Sequence, residues 1–452
     1  MEKILIFNSA EEVRFGKVLK FIIPTYLTSL FNTVYTIVDG IFVSSYVGTN
    51  ALAAINIVYP LVNILTGIAL AFAAGGSAVT ALLIGGKNKK EADKTFTVCM
   101  FESMLLGTVT AAAVGLNLPR ILEFLGATQS TMNDCRIYAL WWLFGTPVVI
   151  GKEVLTYFIR ADGSPTYSFI TAFSGGVLNI VLDYIFVGRM RMGITGAAFA
   201  TILGLLLSFS MGLYYFAKKK TTIEFTRCRL SVKTGIRCMV NGISEFVDQM
   251  AIAATTIVFN RTAMELAGED GVAAVSIIMY LQFLAIGVYF GYSMGTAPPL
   301  SYAYGDKKYD VCNILEKYAR RFFRIIPVII YAAVFFLAPL GVSFFADKNS
   351  SVYILAVSGM RIYGLGFLFS GINIFSAVRM IAYGKGYLSG IITFLRSFAL
   401  LLLFLFVLPL FWGINGLWLA VPTAEFLTMF VSITLMYTVP EKKILNLPGT
   451  SS

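Results

Sequence analysis

The stretch TYSFITAFSGGVLNIVLDYIFV, residues 166–187, decides how this chain is read. It is long enough to cross a hydrocarbon layer as a helix, yet it carries Asp183, with Asn179 one helical turn before it. A carboxylate near the bilayer centre costs about 2.5–3.5 kcal/mol on insertion scales, so such groups persist mostly where ions or solutes pass. A second carboxylate, Asp39, lies in the C-terminal half of the first long apolar segment. Two intramembrane acids in one half of a repeated membrane chain read as a coupling-ion site.

The surrounding composition is that of a membrane protein. Of 452 residues, 58% are hydrophobic and 13% charged, far from the soluble average. Twelve apolar spans follow one another, at 18–44, 51–74, 94–116, 134–158, 165–188, 194–217, 235–260, 271–298, 319–341, 351–378, 387–411 and 415–438. Backbone polar groups cannot go unpaired in hydrocarbon, so each span is expected to be a helix. The fold class is therefore an all-α integral membrane protein with twelve transmembrane helices.

A net charge of +11 invites a nucleic-acid partner, but the placement of the basic residues argues for the lipid bilayer instead. With the N-terminus inside, the even-numbered connections hold Lys87, Lys89, Lys90 and Lys94, then Lys218, Lys219, Lys220, Arg227, Arg229, Lys233 and Arg237, then Lys307 and Lys308. The tails add Lys3, Arg14, Lys17, Lys442 and Lys443, while the other side has only scattered cases such as Arg120, Arg189, Arg191, Arg261 and Lys348. This is the positive-inside pattern, and it predicts that both termini are cytoplasmic. Charges run through the first twenty residues with no apolar core, so no removable signal peptide is expected.

The chain repeats itself. Gly75-Gly76-Ser77-Ala78 and the run Ile84–Lys89 have echoes in Met294-Gly295-Thr296-Ala297 and Ala303–Lys308, 219 residues on. Gly193-Ile194-Thr195-Gly196 returns as Gly413-Ile414-Asn415-Gly416, and Ala53-Ala54-Ile55 as Ala273-Ala274-Val275, each 220 residues later. Six spans per half give both halves the same orientation, related by an axis along the membrane normal. The expected division is an N-lobe at 1–217, a cytoplasmic linker at 218–233 and a C-lobe at 234–452, two pseudo-symmetric six-helix bundles. Such a seam can open to one side and then the other, which favours a secondary transporter. The Gly-Lys pairs are followed by Val18, Asn88, Glu153 and Gly386, so no P-loop supplies ATP energy. There is no histidine, and the five cysteines show no paired spacing. An enzyme, a resident metal and a cofactor are all unsupported. Connections no longer than about twenty residues leave no soluble receptor domain.

Asn179 and Asp183 share one helix face, and Asn32, Tyr35, Thr36 and Asp39 share another on the first span. Thr201 is a hydroxyl among alanines and leucines in the sixth span. Carboxylate, amide and hydroxyl oxygens suit either a proton or a sodium ion. Burial penalises the charged carboxylate, so ion uptake would change the cavity's charge and let the helices repack. A cationic solute would prefer the deprotonated form, which gives antiport. Asn32, Tyr35 and Glu245 are candidate solute contacts. The structural alternative is that each acid pairs with a base, Lys152 being nearest by sequence. In the second half, Asp248 could pair with Arg396 or Arg361, and Glu425 could be a helix contact. Asp183 itself has no counterpart there, since a 221-residue offset lands on Phe404. Gly75-Gly76-Ser77 reads as close helix packing.

Taken in order, Gly48-Thr49-Asn50-Ala51-Leu52-Ala53-Ala54, Phe158-Ile159-Arg160-Ala161-Asp162-Gly163-Ser164-Pro165, Leu178-Asn179-Ile180-Val181-Leu182-Asp183 and the run at 193–198 resemble the multidrug and toxic compound extrusion (MATE) family. The resemblance covers nearly the whole chain and is closest to the DinF-like prokaryotic branch. It implies two lobes around a central cleft in a prokaryotic cytoplasmic membrane, and export of amphipathic, cationic compounds against inward proton or sodium flow. It also implies an ion site matching Asp39, Asn179, Asp183 and Thr201. The NorM-like branch instead pairs a seventh-helix Glu, which Glu245 resembles, with a tenth-helix Asp, and span 351–378 contains no acid. The rival reading within the superfamily is a lipid-linked saccharide or lipid flippase. Two lobes around one cleft need no partner subunit, so a monomer is expected.

Overall fold

The structure is a computed structural model that describes residues 7, 9–47, 49–218 and 221–438. Thr36 and Asp39 lie in helical backbone, but their side chains fall outside the described residues, as do Gly48, Lys3, Lys219, Lys220, Lys442, Lys443 and both chain ends.

Among the described residues fourteen α-helices follow in order: α1 (Phe15–Tyr46), α2 (Thr49–Gly85), α3 (Lys89–Leu116), α4 (Leu118–Phe124), α5 (Met132–Ala161), α6 (Pro165–Asp183), α7 (Gly193–Ala217), α8 (Val232–Asn241), α9 (Ile243–Gly305), α10 (Tyr309–Ser343), α11 (Ser351–Tyr363), α12 (Phe367–Ala382), α13 (Gly386–Thr393) and α14 (Leu400–Thr438). α6 runs on as a π turn over Tyr184–Arg189, α11 and α12 join through a 3-10 turn, and α13 and α14 through a second π turn at Phe394–Ala399. α9 and α14 are each two crossings folded at a glycine, Gly268 (φ 63°) and Gly413 (φ 53°). Beyond these turns the limbs touch at once, for a Cβ on Gly271 would lie 2.6 Å from the Ala263 carbonyl oxygen. Twelve membrane crossings result, in two six-helix bundles.

The helices outrun the predicted spans. The second was expected to end at 74 but α2 continues to Gly85, and the ninth was expected to begin at 319 but α10 begins at Tyr309. Small residues and first-turn polar groups lower hydropathy without breaking a helix that has packing partners. The seventh span, expected at 235–260, is broken at Asn241–Gly242, where α8 ends and α9 starts.

The internal repeat is visible in the backbone. Lys87 (φ 61°) and Lys307 (φ 59°) both take the left-handed conformation rare for side-chain-bearing residues, and they are 220 residues apart. The sequence match at 219 is thus one residue out of register here. What repeats is the turn, not the letters. Gly193 (φ 62°) and Gly413 also share one turn.

The bundles meet at the end carrying the basic connections, and they meet backbone to backbone. A Cβ on Gly85 would lie 2.2 Å from the Tyr302 carbonyl oxygen, and one on Gly305 would lie 2.1 Å from that of Leu82. Gly75 sits against Gly242 in the same way, and Gly295 against Ile22. Gly75-Gly76 is close packing, as expected, with a Cβ on Gly76 2.4 Å from Cys99 Sγ. Asn241 fastens this seam: its Nδ2 donates to the carbonyls of Gly75 (3.3 Å) and Ile381 (3.1 Å), and its Oδ1 accepts from Gly386 N (2.9 Å).

A Cβ at Gly268 or Gly413 would meet nothing within 4 Å. Replacement by alanine there is expected to cost about 1–3 kcal/mol from backbone strain alone. Thermal unfolding of detergent-solubilised Gly268→Ala should show the loss. An unchanged midpoint would mean that the turn relaxes freely.

Candidate functional site

α6 and α7 approach so closely that a Cβ on Gly175 would lie 2.5 Å from the Gly204 carbonyl oxygen, and one on Gly204 would lie 2.6 Å from that of Gly175. One turn beyond Gly175, this contact brings Asn179 Nδ2 to 3.5 Å from Thr201 Oγ1, while the Thr201 hydroxyl donates to the Ala197 carbonyl (3.0 Å). Asn179 and Thr201 line a cavity of about 20 Å³ together with Asn32, Tyr35, Lys152 and Ser208, room for about one water. Asp183, fully buried, ends α6 one turn further on, where the helix gives way to the π turn. Single π turns inside α-helices frequently fall at functional positions. The structure therefore gathers Asn32, Tyr35, Asn179 and Thr201 around one cavity and sets Asp183 on the same helix face as Asn179. Lys152, the base nearest by sequence, is held by its neighbour Glu153 at 2.7 Å.

In the other bundle Glu425 and Asp248 are already paired. Arg396, inside the second π turn, binds Glu425 Oε1 through Nη2 (3.0 Å) and Nε (3.1 Å), with Nη1 3.7 Å from Asp248. Asn373 Nδ2 donates to the second Glu425 oxygen (2.7 Å), and Ser397 Oγ to Asp248 (2.8 Å). Asp248 thus takes Arg396 and not Arg361, which donates to the Phe335 carbonyl (3.2 Å). Glu425 is a helix contact. Glu245, half-buried near the seam, makes no ion pair and no side-chain hydrogen bond among the described residues. Its charged neighbours are Asp248, Arg160 and Arg396. Arg160 is buried with its guanidinium 4.0 Å above the Tyr157 ring, beside a seam cavity shared with Ser77 and Met294.

A third cluster escaped the sequence reading. Glu316 of α10 binds Arg379 of α12, accepts from the Tyr383 hydroxyl (2.7 Å) and pairs with Arg320 (3.2 Å). Only Arg320 sits at helical spacing from Glu316. The buried Arg379 fell one residue beyond the predicted tenth span, the one signal that could have marked it.

Two like bundles of membrane helices around a polar seam are the architecture of a secondary transporter. The chain belongs to the MatE family, whose sequence profile matches residues 24–185 and again 246–407. It is a multi-pass membrane transporter, not an enzyme. Among relatives, it is 24% identical over 450 residues to the multidrug export protein MepA of Staphylococcus haemolyticus (strain JCSC1435), covering 96% of this chain and 95% of that protein. Among solved structures, it superposes with a TM-score of 0.90 on a MATE in complex with MaL6, at 20% identity over 97% of this chain and 98% of the other. The TM-score is 0.89 to an outward-facing multidrug resistance MATE family transporter of the MOP superfamily, at 21% identity over 97% and 98% of the two chains.

Removing one partner of a buried ion pair is expected to cost about 3–5 kcal/mol, more than replacing both by apolar residues. Arg396→Met should therefore destabilise the protein more than Arg396→Met with Glu425→Leu. A double-mutant cycle on denaturation midpoints in micelles checks this. Additive losses would show that the pair is not coupled.

Proposed function

We propose that this transporter is a secondary active exporter, an antiporter of small amphipathic, cationic organic compounds driven by inward proton or sodium flow. The observation that carries the reading is the fully buried Asp183 in a membrane helix, one turn from the Asn179–Thr201 contact. Keeping a carboxylate there is costly unless it is used. In this reading Asp39, Asn179, Asp183 and Thr201 take the coupling ion, and oxygen donors suit both H+ and Na+. Asn32 and Tyr35, on the cavity shared with Asn179, and the unpaired Glu245 near the seam contact the solute.

Charge supports a cationic solute. Glu245 stands unpaired beside the seam while Asp248 and Glu425 are held by Arg396, so it is the acid free to face one. The MepA relative is named for multidrug export, and its name supports amphipathic drugs as the solute class. Further parts of the proposal are a monomer, cytoplasmic termini, and lobes at 1–217 and 234–452 joined by the linker 218–233. Positive-inside charge supports the orientation, and the paired positive-φ turns support the two lobes.

The test is export of a fluorescent cationic dye from vesicles under separately imposed proton and sodium gradients. The native chain should export dye under one of them, and Asp183→Asn should fall to the level of vesicles without protein. Unchanged export in Asp183→Asn would sink the N-lobe site and leave Glu245 as the candidate. Dye movement under neither gradient, with translocation of a fluorescent lipid, would favour the flippase reading.

A further inference from the structure

A cavity of about 300 Å³ opens between the two bundles at the end carrying the basic connections. α8 supplies Lys233, Ile236, Arg237 and Val240, and α2 supplies Val79. The turn from α12 into α13 completes it with Gly384, Gly386 and Tyr387. Walls therefore come from both halves of the chain.

α8 has an unusual surface for a helix of ten residues. Val232, Ile236 and Val240 form a row at four-residue spacing and are 70%, 57% and 46% exposed. Beside it runs a second row, Lys233 and Arg237, also exposed. Neither base has an acid partner or a hydrogen bond among the described residues. The acid packed nearest to α8 is Glu102, and it lies under the buried Gly235, where a Cβ would come within 1.8 Å of its Oε2. No acid lines the cavity, and Lys385 stands in the turn between the two glycines.

An apolar row flanked by lysine and arginine is the surface of a helix lying in the headgroup layer. Position agrees, because α8 leads directly into a membrane crossing and shares its end of the molecule with the other basic connections. Basic pockets between membrane helices at that level hold acidic headgroups. We propose that this cavity binds the headgroup of an anionic phospholipid. Lys233 and Arg237 hold the phosphate, while Ile236, Val240, Val79 and Tyr387 cover the glycerol and the first methylenes of the acyl chains. Asn241, which also lines the cavity, ties α2 to α12 and α13, so a lipid seated there bridges the two lobes where they already touch.

The experiment uses the full chain in nanodiscs of phosphatidylcholine with a minor fraction of phosphatidylglycerol. Lipid retained through gentle detergent extraction is measured by native mass spectrometry. The native chain should retain phosphatidylglycerol above its bulk ratio. Lys233→Gln with Arg237→Gln should lose this preference about 25-fold, about fivefold per basic residue. Lys90→Gln with Lys307→Gln removes the same charge from exposed positions at the same end and should keep the preference. Equal loss in both pairs, or no preference in the native chain, would overturn the site. Millimolar glycerol 3-phosphate should not displace the lipid; displacement would reassign the cavity to a soluble phosphate.

Discussion

The seam between the bundles is made by glycine against backbone, and the rest of the molecule is arranged around that contact. Gly85 on Tyr302 and Gly305 on Leu82 are the same contact seen from the two sides of the repeat, and Gly75 on Gly242 matches Gly295 on Ile22. Small residues let helices approach within lipid, where apolar side chains gain little from one another. The lobes therefore reach backbone distance at these glycines, while Phe246 on Gly67 and Tyr26 on Gly291 add side-chain contacts along the seam. Asn241 adds a directional element, a side-chain amide bound on both faces.

The ionisable groups are distributed unequally. In the C-lobe, Glu425, Asp248 and Glu316 are held by Arg396 and Arg379. An acid in a buried ion pair can take another cation only by giving up its arginine, a cost of several kcal/mol. These groups brace α10, α12 and α14. Glu245 lies a turn from Asp248 and stands outside the pairing, at the edge of the seam. The N-lobe has instead an amide, a hydroxyl and a carboxylate on adjoining turns of α6 and α7, at a point where both helices are thinned by Gly175 and Gly204. The two lobes share a fold and differ in how their buried polar groups are partnered.

The spans were legible because hydrocarbon forces helices and hydropathy reports them. The repeat was legible because turns between spans impose glycine, as at Gly193 and Gly413. Where a lysine takes the same conformation, as at Lys87 and Lys307, letter matching slips by a residue. Asn179, Asp183 and Thr201 stood out because polar residues in lipid are costly and few. Arg379 and Glu316 did not, because a pair 63 residues apart leaves no local spacing to read. Nor did Asn241, whose role arises only when three helices converge on it. Local patterns mark which residues are expensive; they do not say which expensive residues meet.

The basic linker is not a slack tether, and this limits how the lobes can move. Asp162 accepts from the Tyr215 hydroxyl (2.6 Å) and from the backbone of Thr222 (2.8 Å) and Ile223 (3.0 Å). Further along, Glu224 N donates to Asp93 (2.9 Å) and Thr226 N to Thr97 (3.1 Å). α8 then packs on α2 and α3. From Thr222 the chain thus still rides on the N-lobe as far as Asn241, and only after Gly242 does it run into the long helix of the other bundle. Gly242 has the Ala71 carbonyl oxygen 2.0 Å from where its Cβ would stand, so it is pinned in the seam itself. Motion of one lobe against the other, if linker and α8 stay docked, must bend the chain at Asn241–Gly242. The fastening amide and the basic cavity thus both lie along α8, which ends at this point.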